Sequence, residues 1–146
     1  MKIFWNANIQ PHHREMVETI LTELKWMIPG WVLEISVNVW NSDDAEKMLS
    51  VETNYAYRFV RLNVYTNWFN QGEAEQLRQM IHEMIHIPIT PVVMFAEEAL
   101  KATMEGSQQG AVILNEMHDR HESATCDITE AIYRKVYAAD VRWAGH

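Results

Sequence analysis

The sequence predicts an α+β fold, and three observations carry that prediction. Apolar residues recur at helical spacing near both ends of the chain, two segments between them alternate apolar with polar, and an amphipathic helix holds the pentapeptide His82-Glu83-Met84-Ile85-His86. From about Pro11 to Ile28, Met16, Val17, Ile20, Leu24 and Met27 fall on one helical face, and Pro29-Gly30 ends the run. Leu33, Ile35, Val37 and Val39 then alternate with Glu34, Ser36 and Asn38, the period of a half-buried strand. Asn41-Ser42-Asp43-Asp44 reads as a turn, followed by a short helix near Ala45–Leu49 and a short strand near Val51–Thr53. A second clear strand runs from Arg58 to Tyr65.

The next helix has a marked start. Asn70-Gln71-Gly72-Glu73 has the form of a capping box with Asn70 as N-cap, and Glu75 adds negative charge to the first turn. Leu77, Ile81, Met84 and Ile85 recur at helical spacing, and Pro88 is expected to stop the helix just past His86. Thr90-Pro91 then reads as the N-cap and N1 of a new helix containing Val92, Phe95, Ala96, Ala99 and Leu100, interrupted at Gly106-Ser107. A final helix is expected from about Gln109 toward Tyr137, with Ile128, Ile132 and Val136 on one face. The tail Val141–His146 receives no assignment.

The 146 residues suit one domain spanning 1–146 with its core at about 11–138, and 48% hydrophobic residues suffice to build that core. No apolar run has membrane-spanning length and the N-terminus lacks a signal-peptide pattern, so a cytoplasmic protein without a membrane partner is expected. The lone Cys126 excludes an internal disulfide and a CxxC zinc ribbon, and is expected to be a buried small hydrophobe. A net charge of −8 repels phosphate backbones, which argues against nucleic acid as a partner.

On a helix, residues four apart share one face, so His82 and His86 can hold a single Zn²⁺ while Glu83 flanks a water on that metal. Zinc lowers the pKa of a bound water from about 15.7 to roughly 7, and a neighbouring carboxylate can take its proton and pass it to a leaving amine. Glu83 is therefore the candidate general base. A catalytic zinc takes three protein ligands, so a third must come from elsewhere. Ile89 and Val92 stand where the metzincin extension needs Gly and His, which excludes that class. In the cluster Glu116-Met117-His118-Asp119-Arg120-His121-Glu122, Glu122 steps by three or four through Thr125, Thr129, Ile132 and Val136, and is the chosen third ligand. His121 is the nearest alternative, with His118 and Glu116 behind it. His118, Arg120 or His121 are candidates to donate a hydrogen bond to a developing oxyanion, ahead of Tyr133 and Tyr137.

With helix, strands, HExxH helix and a distal glutamate in that order, roughly residues 31 to 136 resemble the minimal zincin peptidases of gluzincin pattern. ImmA/IrrE-like and SprT-like proteins and short phage or prophage metallopeptidase-like chains are similar, and only His82, Glu83 and His86 match tightly. The resemblance implies a single zincin-like domain with a small, mostly antiparallel sheet. It also implies that the strand before the motif helix is an edge that pairs with extended peptide, so that Arg58, Phe59, Arg61, Asn63 and Tyr65 would line the cleft. The expected function is a zinc-dependent peptidase with one Zn²⁺, a peptide or protein substrate and Glu83 as base. The competing expectations are a non-catalytic protein-binding module of the same fold and a hydrolase of non-peptide amides or esters.

Overall fold

The computed structural model of the chain describes residues 1–137, and the tail Val141–His146 lies outside them. The architecture is α+β, with a four-stranded sheet of order β1-β2-β4-β3 and three helices. The strands are β1 (Lys2–Trp5), β2 (Glu34–Trp40), β3 (Leu49–Asn54) and β4 (Phe59–Tyr65); the helices are α1 (Pro11–Leu24), α2 (Glu73–Met104) and α3 (Gln108–Ile132). A 3₁₀ turn extends α1 through Lys25–Met27, and a π turn follows α3 at Tyr133–Tyr137.

The strand alternation read from β2 and β4 is present, and it builds the core. Ile35, Val37, Val60, Leu62 and Val64 are buried with Val17, Leu21 and Leu24 of α1 and Leu77, Met80, Ile81, Met84 and Ile87 of α2. The opposite face carries a polar ladder in which Trp40 Nε1 donates to Asn63 Oδ1 at 3.0 Å and Asn63 Nδ2 donates to Ser50 at 3.2 Å. β1, which the sequence reading did not anticipate, pairs with β2 through the register Ile3↔Ile35.

The sheet is not mostly antiparallel. β1 pairs parallel with β2 and β2 parallel with β4; only β3 and β4 run antiparallel. The reason is the path of residues 41–48, which carries the chain from β2 past the position of β4 to the sheet edge before the β3–β4 hairpin returns. That segment forms no short helix at Ala45–Leu49; Asp44 Oδ1 accepts from the Glu46 amide at 2.9 Å, and Asn67 Nδ2 donates to the Asp44 carbonyl at 2.8 Å. Arg58 belongs to the hairpin turn rather than the strand, with φ +57° in the left-handed region.

α2 also departs from expectation. Gly72, not Asn70, is its N-cap and no side-chain cap bond forms; Asn70 instead ends a 3₁₀ turn spanning Thr66–Asn70. The helix then runs unbroken through Pro88 and Pro91 to Met104. Each proline removes an N–H and crowds a carbonyl one turn back, at a cost of roughly 3 kcal/mol. Antiparallel packing of α2 on α3 and burial of Met84, Ile85 and Ile87 hold the helix against that cost. The interruption at Gly106-Ser107 is present, Gly106 at φ +79° and Ser107 capping α3 by accepting from Gly110 N at 2.9 Å.

On α3 the buried face is not that of Ile128 and Val136, which are exposed. Thr125, Thr129, Tyr133 and Tyr137 are buried instead. Thr125 and Thr129 satisfy their hydroxyls on carbonyls one turn back, those of His121 and Thr125, so small polar residues can pack closely against α2.

Candidate metal centre

α2 presents His82 and His86 one turn apart toward α3, and α3 presents Glu122 to both. His82 Nε2 lies 3.2 Å from His86 Nε2 and 2.9 Å from Glu122 Oε1, and His86 Nε2 lies 3.7 Å from Glu122 Oε2. Ligands about 2.0–2.1 Å from a tetrahedral zinc are separated by about 3.3 Å, and the His82–His86 pair and the contacts of each histidine with one Glu122 oxygen lie near that spacing. Two imidazoles and a carboxylate are the donor set that zinc takes in catalytic sites, and the residues fit the ion. They are the only His/Cys/Asp/Glu group of this kind among the described residues.

The two histidines are about four-fifths buried, and Glu122 reaches the pair from a more exposed position. Burial holds the His86 pKa below its usual value, helped by His82 and His121 and opposed by Glu122. That keeps the imidazole neutral, the form that binds metal. Glu83, on the adjoining side of α2, has its carboxyl pushed up to about 7 by burial and then by the charge of Glu122, against the pull of the Val51 backbone amide.

The alternatives for the third ligand separate. His118 is turned away to Glu97, at 2.6 Å, and Arg120 pairs with Glu116 at 2.8 Å, both exposed. Glu97 thus meets α3 but not the triad. His121 packs its ring edge-on against His86 at 5.1 Å, and its buried Nε2 has no hydrogen-bond partner among the described residues. It stands beside the triad without joining it. Tyr133 packs beneath Arg78, whose guanidinium lies 4.2 Å from the ring centroid.

The strand expected to meet substrate is placed differently. β4, with Phe59, Arg61, Asn63 and Tyr65, is an interior strand paired on both sides, and Arg61 is bound to Glu52 at 3.1 Å on the face away from α2. Among the described residues, the free edge beside α2 is β3. Tyr65 N donates to Met48 O, and with the register Ser50↔Asn63 this turns the main-chain groups of Leu49, Val51 and Thr53 outward. The Val51 amide reaches Glu83, so the open edge runs along the triad.

Between β3, α2 and α3 lies a cavity of about 370 Å³ that adjoins His82 and Glu83. Its other walls come from Glu46, Met48, Leu49, Arg78, Gln79, Cys126, Thr129 and Glu130. Cys126 is exposed here rather than buried in the core. Arg78 and Gln79, one turn before the motif, were open to discovery by helical spacing; Glu46 was not, since only the path of residues 41–48 brings it to α2.

Comparison with known protein families, curated proteins and solved structures finds no match for this chain. No described helix is long and apolar enough to cross a membrane.

Proposed function

We propose that this chain is a zinc-dependent peptidase. The observation that carries the reading is the meeting of His82, His86 and Glu122 at metal-ligand separations beside Glu83, from two helices brought together only by the fold. Zinc bound by this set would supply a Lewis acid and a water of lowered pKa. Glu83 would accept the proton of the attacking water and return it to the leaving nitrogen. The Val51 amide orients the Glu83 carboxylate, and the outward main chain of β3 at Leu49 and Thr53 would align an extended peptide along the edge. His121 Nε2, buried and without a hydrogen-bond partner among the described residues, would donate to the carbonyl oxygen as it gains charge.

The test is zinc content by plasma mass spectrometry on protein purified without chelator, for wild type and His82→Ala, joined to peptide turnover by wild type and Glu83→Gln. About one zinc per chain, absent from His82→Ala, with turnover lost in a Glu83→Gln variant that keeps its zinc, is the expected result. No zinc in folded wild type overturns the reading. Zinc without turnover of any peptide moves it to a non-catalytic binding module.

A further inference from the structure

We propose that the cavity beside the triad selects a cationic side chain, Lys or Arg, in the peptide substrate; the proposal rests on the peptidase reading above. Its charges and acceptors are unevenly committed. Arg78 donates to Glu75 at 3.0 Å, lies 3.4 Å from Glu130 and stacks on Tyr133, so its charge is matched by ion pairs although its buried Nε makes no hydrogen bond among the described residues. Thr129 donates its hydroxyl to the Thr125 carbonyl at 2.7 Å. Two acceptors remain. Gln79 Oε1 is buried with no hydrogen-bond partner among the described residues, a state that a ligand donor would relieve. Glu46 is fixed by its backbone bond to Asp44 and by the anchoring of that turn to Asn67, while its carboxylate has no ion-pair partner among the described residues.

Shape agrees with charge. Met48 and Leu49 give the cavity an apolar wall and lie in the chain between Glu46 and Val51, whose amide reaches Glu83, an order suited to an aliphatic stem whose charged head continues toward Glu46. With Glu130 engaged by Arg78 and Glu83 by the Val51 amide, Glu46 is the wall carboxylate left without an ion-pair partner among the described residues, and with a chain charge of −8 the field there favours a cation and opposes an acidic side chain.

The experiment uses the zinc-loaded full chain carrying Glu83→Gln, which separates recognition from turnover. Fluorescein-labelled alanine hexapeptides with a single Lys, Arg, Leu or Glu at each position in turn are titrated by anisotropy. The expected result is that Lys and Arg peptides bind about fivefold more tightly than Leu and Glu peptides at one position, that added Glu46→Lys abolishes the preference, and that salt weakens it. Equal binding of all four, a preference for Leu or Glu, no binding at all, or a preference unchanged by Glu46→Lys overturns the proposal. If the cationic preference holds but wild type cleaves none of the panel, the peptidase reading fails while the pocket stands.

Discussion

Three side chains whose potential ligand atoms lie within 4.8 Å of one another form a candidate site whose single members are separable by substitution. If Glu122 is a zinc ligand as proposed, zinc affinity of Glu122→Ala measured against a competing chelator is expected to fall by more than the roughly hundredfold upper end typical of outer-shell changes, whereas His121→Ala should stay well within that range. The opposite order would exchange the two roles. Glu83 gives a second prediction, for the chelated protein. Its carboxyl is raised from 4.5 to about 7, so the folded chain holds that proton more tightly than the unfolded chain does. The resulting stabilisation is full below about 4.5 and is lost as pH rises through 7. His86, with a lowered pKa, acts in the opposite sense but is present in both wild type and Glu83→Gln. The stability of Glu83→Gln relative to wild type, from urea unfolding with chelator, should therefore grow between pH 4.5 and 7.5 and level off above; a difference constant with pH would show that Glu83 is not buried as described.

At the scale of elements, α2 carries the main lesson. Local chemistry at Pro88 and Thr90-Pro91 argues for a stop and a restart, yet one helix passes through both because α3 and the core hold it. Pro91→Ala should then raise the unfolding free energy by about 1–3 kcal/mol in chemical denaturation, since the position is already helical and regains an N–H. A loss of stability would mean that the helix needs its proline. β2, β4 and α1 were legible because each pairs a regular apolar period with clear breakers, Pro29-Gly30 after α1 being one. The buried face of α3 was not, because buried Thr125 and Thr129 look polar in sequence and are made apolar in effect by bonds to their own helix. Cys126 was misplaced for the same reason: the face it occupies is set by what α3 packs against.

Across the whole molecule, what a sequence determines by itself is what lies within a helical turn or a strand's period. Such local spacing put His82 and His86 on one face with Glu83 beside them, set the alternation of β2 and β4, and marked the break at Gly106-Ser107. The approach of Glu122 to that pair is intermediate: its helical phase was readable, its meeting with His82 at 2.9 Å was not. Only the tertiary structure decided that β4 is interior and β3 an edge of the described sheet, and that Glu46 and Gln79 face one cavity with His82 and Glu83. It also decided that His118 turns away to Glu97. These depend on strand order and on the antiparallel packing of α2 and α3, contacts between residues far apart in the chain. Their free energy comes from burying a shared apolar surface, and no short stretch of sequence contains that surface.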